Sequence, residues 1–392
     1  DCGLRKQHSK VYSCCLSTGP CCEHSQSSEN GIRLAELSEE ENQVKILFVT
    51  DIHDALKELR VLLSSTEADL YLLCGDILYH AFYDEDKIYQ FVCLQEEFYS
   101  EAKQQDKKIM PYDLATEMLR YPTKKGADAE EWNLKAAEYR MLFHKAGKTM
   151  KEKYELIEEL VEKYGNASCL MLPGNYDIDL RYTRLAHRDL HHKEVNLNGL
   201  KFAGYGGAPI ATSGIPEKLA ITYHESRGNG DLYSEPEEFF EQCQPDIMVL
   251  HNPAYGFFDR VPTIGHVGSV GIRNYLDRNS ASLVVSGHVH EDYGIARKKD
   301  GTVLLNPSNF GGVDSPYGWQ PGGVFAEITM DGRNFQELKL RRLADNEVQD
   351  LLLVTLEGEE LKARALEHLD QSHLDLSGFV RDHAGQPVEL FA

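Results

Sequence analysis

The chain is short of positive charge: its 392 residues hold 41 Lys+Arg against 63 Asp+Glu, a formal charge of −22. Proteins that bind nucleic acid or anionic membranes draw most of their affinity from basic patches, so general affinity for either is not expected. Long apolar runs are missing too. No stretch approaches the roughly 18–20 residues of a membrane-spanning helix, and no signal-peptide core is visible, although the chain starts at Asp1 and processing upstream stays open. Cysteine is sparse through the body of the chain, where Cys74, Cys93, Cys169 and Cys243 are scattered. That usage suits a reducing compartment, and a cytoplasmic location is expected. Only the start is rich in cysteine, with Cys2, Cys14, Cys15, Cys21 and Cys22 near His8 and His24. The cluster could bind a metal, form disulfides or be a flexible tail; vicinal pairs are awkward for a zinc knuckle.

What is present is a repeated layout. "LVVSGHVHEDYG" (residues 283–294) is an apolar run that ends in Gly287, His288 and His290. Side chains two apart on an extended chain share a side, so both imidazoles leave the strand in one direction. Taken alone, they could equally be polar loop residues facing water. The layout recurs, however. "VKILFVTDIHDAL" ends in Asp51 and His53, "ADLYLLCGDILYH" in Asp76, "SCLMLPGNYDID" in Asn175 and "DIMVLHNPAYG" in His251. In open α/β sheets ligands gather at the carboxyl ends of the strands. Seven potential ligands would then meet at one rim: Asp51, His53, Asp76, Asn175, His251, His288 and His290. The set is nitrogen and oxygen with no thiolate, which suits Mn, Fe, Zn or Ni. Seven donors exceed one four-coordinate ion but suit two transition-metal ions sharing a carboxylate. Two ions roughly 3.5–4 Å apart clamp an in-line displacement at phosphorus.

The order D-x-H (Asp51, His53), G-D (Gly75, Asp76), G-N-x-D (Gly174, Asn175, Asp177), H (His251) and G-H-x-H (Gly287, His288, His290) resembles the calcineurin-like metallophosphoesterases. The resemblance covers about residues 44–340. Within that superfamily "FAGYGGAP", "GHVGSVGIRNYL", "GHVHEDYG" and "LLNPSNFG" are similar to the Icc-related predicted phosphoesterases. The resemblance implies an α/β fold, a four-layer α/β/β/α sandwich, with a dinuclear centre. It implies Asp51, His53 and His290 on one ion, Asn175, His251 and His288 on the other, and Asp76 between them. The hydrolysis would run through a hydroxide bridging the two metals, with Asn175 and the metals holding charge on the phosphate oxygens. Many members carry a histidine after the G-N pair that helps the leaving oxygen depart; this chain has Tyr176. Tyrosine titrates near 10, so it donates a hydrogen bond but shuttles protons poorly, and general acid help is worth roughly 10²–10⁴-fold. Weak action on alkyl monoesters and better action on diesters or activated esters are therefore expected.

Asp54, Asp177 and Glu291 neighbour these ligands and could orient histidines, or simply cap loops. His80, Arg260 and His266 are candidate substrate contacts, and Asn306 and Asn309 could line the pocket or form turns. Tyr79 completes a G-D-x-x-Y pattern of purple acid phosphatases, which lack a first-motif histidine; with His53 present it reads as incidental.

Nearly a hundred residues separate Asp76 from Asn175. Their periodicity predicts two or more amphipathic helices over about 81–165, with Asp128 starting the long one and Gly165 capping it. The apolar face of this insertion would pack on the main sandwich, form a lid over the metals or meet another subunit in a homo-oligomer, with a partial roof over the site preferred. Residues 206–234 read as a long Gly- and Ser-rich loop facing the site. The domain reading is a Cys-rich segment at 1–43, the metallophosphoesterase domain at 44–342 and an extension at 343–392, where one or two more helices and an irregular tail are expected. The preferred function is metal-dependent hydrolysis of a small or nucleotide-type phosphoester, a phosphodiesterase above all. A nuclease of the same superfamily and a non-catalytic scaffold are the alternatives; the acidic balance counts against the first and the full ligand set against the second.

Overall fold

A computed structural model describes residues 43–121, 127–209, 212–228, 231–372, 374–388 and 390–391. The N-terminal cysteines lie outside these residues. The chain begins with β1 (Gln43–Thr50), α1 (Leu56–Ser65) and β2 (Leu70–Cys74). Three inserted helices follow, α2 (Glu85–Gln104), α3 (Pro111–Arg120) and α4 (Ala127–Tyr164), and lead into β3 (Ser168–Leu172). Next come β4 (Lys193–Leu197), β5 (Leu200–Tyr205), a ribbon of β6 (Glu225–Gly228) and β7 (Asp231–Ser234), α5 (Glu235–Cys243) and β8 (Ile247–Leu250). A second ribbon, β9 (Arg260–Val261) and β10 (Gly265–His266), precedes α6 (Val270–Arg278) and β11 (Leu283–Val285). Then follow β12 (Gly294–Arg297), β13 (Val303–Asn306) and a third ribbon, β14 (Val313–Ser315) with β15 (Gly318–Gln320). The last strands are β16 (Val324–Asp331), β17 (Asn334–Ala344), β18 (Glu347–Glu357), β19 (Glu360–Ala365), β20 (Val380–Arg381) and β21 (Leu390–Phe391).

Two sheets carry the fold. One runs β21, β19, β18, β17, β16, β1, β2, β3 from edge to edge, and the other β20, β12, β13, β11, β8, β5, β4. β1, β2 and β3 are mutually parallel, as are β5, β8, β11 and β13. Both faces of these strands are buried, which is why they read as unbroken apolar runs. Alternate residues go to different cores. Ile46, Phe48, Leu70 and Leu72 join Ile247, Val249, Leu283 and Val285 between the sheets. Leu47, Val49, Tyr71 and Leu73 instead meet Leu59 and Leu62 of α1, Phe91 and Phe98 of α2, and Tyr139 and Ile157 of α4. On the far side Met248 and Leu250 pack on Phe240 of α5 and Tyr275 of α6. Packing thus runs helices, sheet, sheet, helices. Each large side chain so buried contributes roughly 1.5–3 kcal/mol.

The insertion is helical, as the periodicity predicts. In α4, Ala136, Tyr139, Phe143, Ala146, Met150, Tyr154, Ile157 and Val161 are buried at steps of three or four, the stripe of one helix face. Asp84 caps α2 by accepting from the Lys87 amide, and Pro111 opens α3 at a position where its missing N–H is not needed. Gly165 follows α4 but does not adopt the left-handed conformation of a glycine C-cap.

Two expectations fail. The residues after 342 are strands, not helices: β17, β18 and β19 form an antiparallel meander that extends the first sheet. Leu351, Leu352, Val354, Leu361 and Ala363 are buried there in the inter-sheet core. Neighbouring strands override a local composition that suits a helix. The 206–234 stretch is not all loop either, because it contains the β6–β7 ribbon.

Candidate metal centre

The parallel strands of both sheets deliver their following residues to one rim. Asp51 and His53 follow β1, Asp76 follows β2, Asn175 follows β3, His251 follows β8, and His288 and His290 follow β11. Donor atoms of Asp51, His53 and His290 lie within 4.8 Å of one another, and so do those of Asp76, His251 and His288. The groups adjoin, since His53 Nε2 is 3.8 Å from Asp51 Oδ1 and 3.9 Å from Asp76 Oδ2. On the other side His251 Nε2 stands 3.4 Å from Asp76 Oδ1 and 2.7 Å from Asn175 Oδ1. All seven residues named from the strand ends therefore meet.

Backbone geometry shows the demand this convergence makes. Asp51, His53, Asp76 and His288 all adopt left-handed φ, at 54°, 47°, 29° and 69°. For side-chain-bearing residues such strain costs on the order of 1–3 kcal/mol each and concentrates at functional sites. The motif glycines are there for room. A Cβ on Gly287 would stand 2.2 Å from Asp51 Oδ2 and 2.0 Å from Thr50 Oγ1, and one on Gly174 would stand 2.1 Å from Asp76 Oδ1.

Charges within the cluster oppose burial. Burial pushes the Asp51 carboxyl up, but His290, with His251 and His53 beyond it, brings it well below the carboxylate range. Burial likewise raises Asp76, and His251 and His53 bring it down below its ordinary value. Burial and the neighbouring His251 hold His288 down at about 4. On His290 burial is outweighed by Asp51, so that imidazole goes up. The cluster therefore presents carboxylates and at least one neutral imidazole, the forms that bind metal.

Whether these residues fit metal ions is tested by the nitrogens they leave without partners. His53 Nδ1 and Nε2, His251 Nδ1 and His290 Nε2 are buried and make no hydrogen bond to a described residue, although His290 Nε2 lies 3.3 Å from Asp51 Oδ1. Each orphaned buried polar atom costs about 1–3 kcal/mol, and four in one cluster mark a site completed by something other than protein. Nitrogen and carboxylate oxygen without sulfur match the borderline transition metals. The residues fit.

Around the cluster lies a set of holding contacts. Thr50 Oγ1 donates to Asp51 Oδ2 at 2.7 Å, and the His288 amide donates to the same oxygen at 3.0 Å. The Tyr176 amide donates to Asp76 Oδ1 at 2.7 Å. Asn175 Nδ2 donates to Thr212 Oγ1 at 2.6 Å, which brings the 206–224 loop to the site as expected. Asp177 is fully buried and accepts from the amides of Ile77, Leu78 and Gly174 and from the Tyr154 hydroxyl. It ties the second and third motifs together. Burial, then the Asp76 charge, raises its carboxyl to about 7. Asp54 accepts from the amides of Tyr79 and His80 and from Lys153 Nζ. Glu291 pairs with Gln320. Asp54 and Asp177 bind loops, the capping alternative, and no hydrogen bond among the described residues joins any of these three carboxylates to a ligand imidazole.

The substrate-side candidates separate. Asn306 is a correction: it is fully buried, its amide donates to the carbonyls of Val289 and Asp292, and its oxygen accepts from the Ser308 amide. Nothing remains with which to line a pocket, and it instead pins the His288–His290 loop from behind. Asn309 is committed in the same way, to Gly311 and Ser308. His80 is half-buried against Tyr79, with ring centroids 4.2 Å apart, and burial lowers its imidazole. Arg260 and His266 are exposed and face each other across the β9–β10 ribbon. Tyr176 is packed near Tyr79, with centroids 5.6 Å apart, and burial, then Asp76, raises its hydroxyl to about 12. It is a hydrogen-bond donor, not a proton shuttle.

Three residues carry more than sequence reasoning assigned them. Tyr79, read as incidental, stacks on the His53 ring at 4.9 Å and 8°. Lys153, buried in α4, donates to both Asp54 oxygens at 2.9 Å and to the His80 carbonyl at 2.7 Å. Its neighbour Tyr154 donates to Asp177 at 2.6 Å. The inserted helix thus grips the loops of the first three motifs from beneath.

Comparison with known proteins agrees with this geometry. Residues 143–292 match a family model described as calcineurin-like phosphoesterase. That stretch is similar to a calcineurin-like phosphoesterase domain. The matched stretch holds Asn175, His251, His288 and His290, and the structure adds Asp51, His53 and Asp76 from strands beside it. The sequence finds no match among the curated proteins. Among solved structures, one crystal structure is 16% identical with a TM-score of 0.46, covering 77% of this chain and 100% of its own. The TT1561 protein of Thermus thermophilus is 13% identical with a TM-score of 0.37, covering 78% and 97%. Wild-type Vps29 of Entamoeba histolytica complexed with zinc is 11% identical with a TM-score of 0.29, covering 78% and 96%. Similarities of this size carry no functional argument. Among the described residues no helix is long and apolar enough to cross a membrane.

Proposed function

We propose that the phosphoesterase domain hydrolyses small phosphodiesters, nucleotide-type substrates among them, at a pair of divalent metal ions. The observation that carries this reading is the paired cluster of buried carboxylates and imidazoles, four of whose ring nitrogens make no hydrogen bond to a described residue. Asp51, His53 and His290 would hold one ion, Asn175, His251 and His288 the other, and Asp76 would serve both. Bound there, the ions supply Lewis acidity toward a phosphoryl oxygen and a nucleophilic water at neutral pH.

The residues of the chain do the rest. Asn175, held by Thr212, would offer its amide to a phosphate oxygen. Asp54, Lys153 and Asp177 hold the motif loops at the spacing the reaction needs. Tyr79 and Tyr176 form an aromatic wall beside His53, fit to stack on a planar ester group. Because Tyr176 keeps its proton at neutral pH, esters with good leaving groups and diesters are favoured over alkyl monoesters.

The test is hydrolysis of bis(p-nitrophenyl) phosphate by the full chain with Mn²⁺. Activity is expected with metal, none with EDTA, and a loss of at least about 10²-fold in Asp76→Ala and Asn175→Ala. Turnover without metal, or undiminished in both variants, contradicts the reading.

A further inference from the structure

The packing of Tyr176 leaves a gap in the chemistry just proposed, since no proton donor is in hand for a poor leaving group. The β9–β10 ribbon supplies the missing parts. His266 Nδ1 lies 2.6 Å from Oδ1 of Asp259, a carboxylate with no exposure to solvent. The other oxygen of Asp259 accepts from the Gly268 amide at 3.0 Å, so the carboxylate is fixed. A fixed carboxylate that accepts from Nδ1 sets the tautomer and leaves Nε2 as the working nitrogen. The His266 side chain is 45% exposed, and its Nε2 makes no hydrogen bond to a described residue. Asp259 is wholly buried while the imidazole it holds is open to solvent, so a fixed carboxylate orients a ring that a ligand can reach.

The ribbon is tied to two ligand-bearing loops and, through the third ribbon, to a loop that passes His53. The Arg260 amide donates to Asp292 at 3.1 Å, two residues beyond His290. The base of the loop closes with the Ser269 amide on the Pro253 carbonyl at 2.8 Å, two residues beyond His251. Its tip meets the third ribbon, where Thr263 Oγ1 and the Tyr317 hydroxyl are 3.0 Å apart. The loop leading into that third ribbon passes His53, because a Cβ on Gly311 would stand 2.7 Å from the His53 Cβ. Arg260 and His266 are directly opposed in the ribbon, and opposed residues project on one face.

We propose that His266, oriented by Asp259, donates the proton to the leaving oxygen, while Arg260 beside it holds the phosphate. This rests on the phosphoesterase reading above. As the water oxygen bonds to phosphorus, the phosphorus–oxygen bond to the leaving group breaks and its electron pair stays on the leaving oxygen. Protonated His266 gives its Nε2 proton to that oxygen, becomes neutral imidazole still bonded to Asp259, and regains a proton from solvent. His266 is then a catalytic residue and Asp259 a positioning residue.

The test uses the Mn²⁺-loaded full chain and a series of aryl methyl phosphates whose leaving phenols span a range of acidity. His266→Gln is expected to lose roughly 10²-fold on unsubstituted phenyl methyl phosphate and only a few-fold on the p-nitrophenyl ester, which departs without a proton. The leaving-group dependence steepens accordingly, and Asp259→Asn gives the same pattern more weakly. A second readout is independent of turnover: methyl phosphonate slows carbethoxylation of His266, followed by mass spectrometry of its peptide, in the wild type and less in Arg260→Ala. An equal loss across the series, or none, in a folded His266→Gln that still needs metal overturns the proposal and leaves the phosphoesterase reading standing. A wild-type chain that hydrolyses no member of the series with metal overturns both.

Discussion

Lys153→Met isolates what the inserted helix does for the site. The Lys153 ammonium is buried and makes three contacts, two to Asp54 at 2.9 Å and one to the His80 carbonyl at 2.7 Å. Methionine keeps most of the apolar stem and removes the ammonium. Stranding one member of a buried ion pair costs about 3–5 kcal/mol. Asp54 keeps 24% of its side chain exposed, so water recovers part of that loss, and a destabilisation of about 2–3 kcal/mol is expected. Urea unfolding with metal removed reads it directly. The double variant Lys153→Met/Asp54→Asn should recover at least about 1 kcal/mol, because the uncompensated carboxylate is gone. Hydrolysis should fall by about tenfold or more in the single variant, since Asp54 also anchors the amides of Tyr79 and His80. A single variant within about 0.5 kcal/mol of wild type, or a double variant no better than the single, refutes the clamp.

Gly287→Ala should fold but lose metal affinity, because its new methyl must displace Asp51 or Thr50; metal titration by calorimetry checks this, and wild-type affinity contradicts it. Arg381→Ala removes a 2.6 Å contact to Asp292 and a cation resting 4.8 Å over the Phe258 ring; loosening the loop that bears His290 should weaken metal binding by about tenfold, with the apo fold intact by circular dichroism. Burial holds the His191 imidazole down at about 4, with its Nδ1 accepting from the Gly206 amide at 3.0 Å. Unfolded, it titrates near 6.5, so between those values the unfolded state binds more protons and stability falls as pH falls. Going from pH 7 to pH 5 should cost about 2 kcal/mol through this residue. His191→Gln should flatten that slope in metal-loaded protein; an unchanged slope refutes the assignment.

The strand-end motifs were legible because each is local, an apolar run with its ligands one to five residues beyond it. Their convergence follows from parallel strands alone, and both sheets are parallel where the motifs sit. Contacts fixed by distant partners were not legible. Lys153 lies in a helix rich in Lys and Glu and looks like its solvated neighbours; only Asp54, 99 positions earlier, makes it a buried cation. Tyr79 matters through the ring of His53, which no spacing rule predicts. "EVQDLLLVTLE" has the composition of a helix and is held as β18 by pairing with β17 and β19. Asn306 looked like a pocket residue because it ends a strand at the right rim, but its own turn consumes every polar atom it has.

The dinuclear centre is tested most directly by how many ions one chain takes up and how close they sit. Protein dialysed against Mn²⁺, then freed of unbound metal, should hold two ions per chain by elemental analysis, with an exchange-coupled electron paramagnetic resonance signal that Asp76→Ala abolishes. One ion per chain, or two that do not couple, would contradict it.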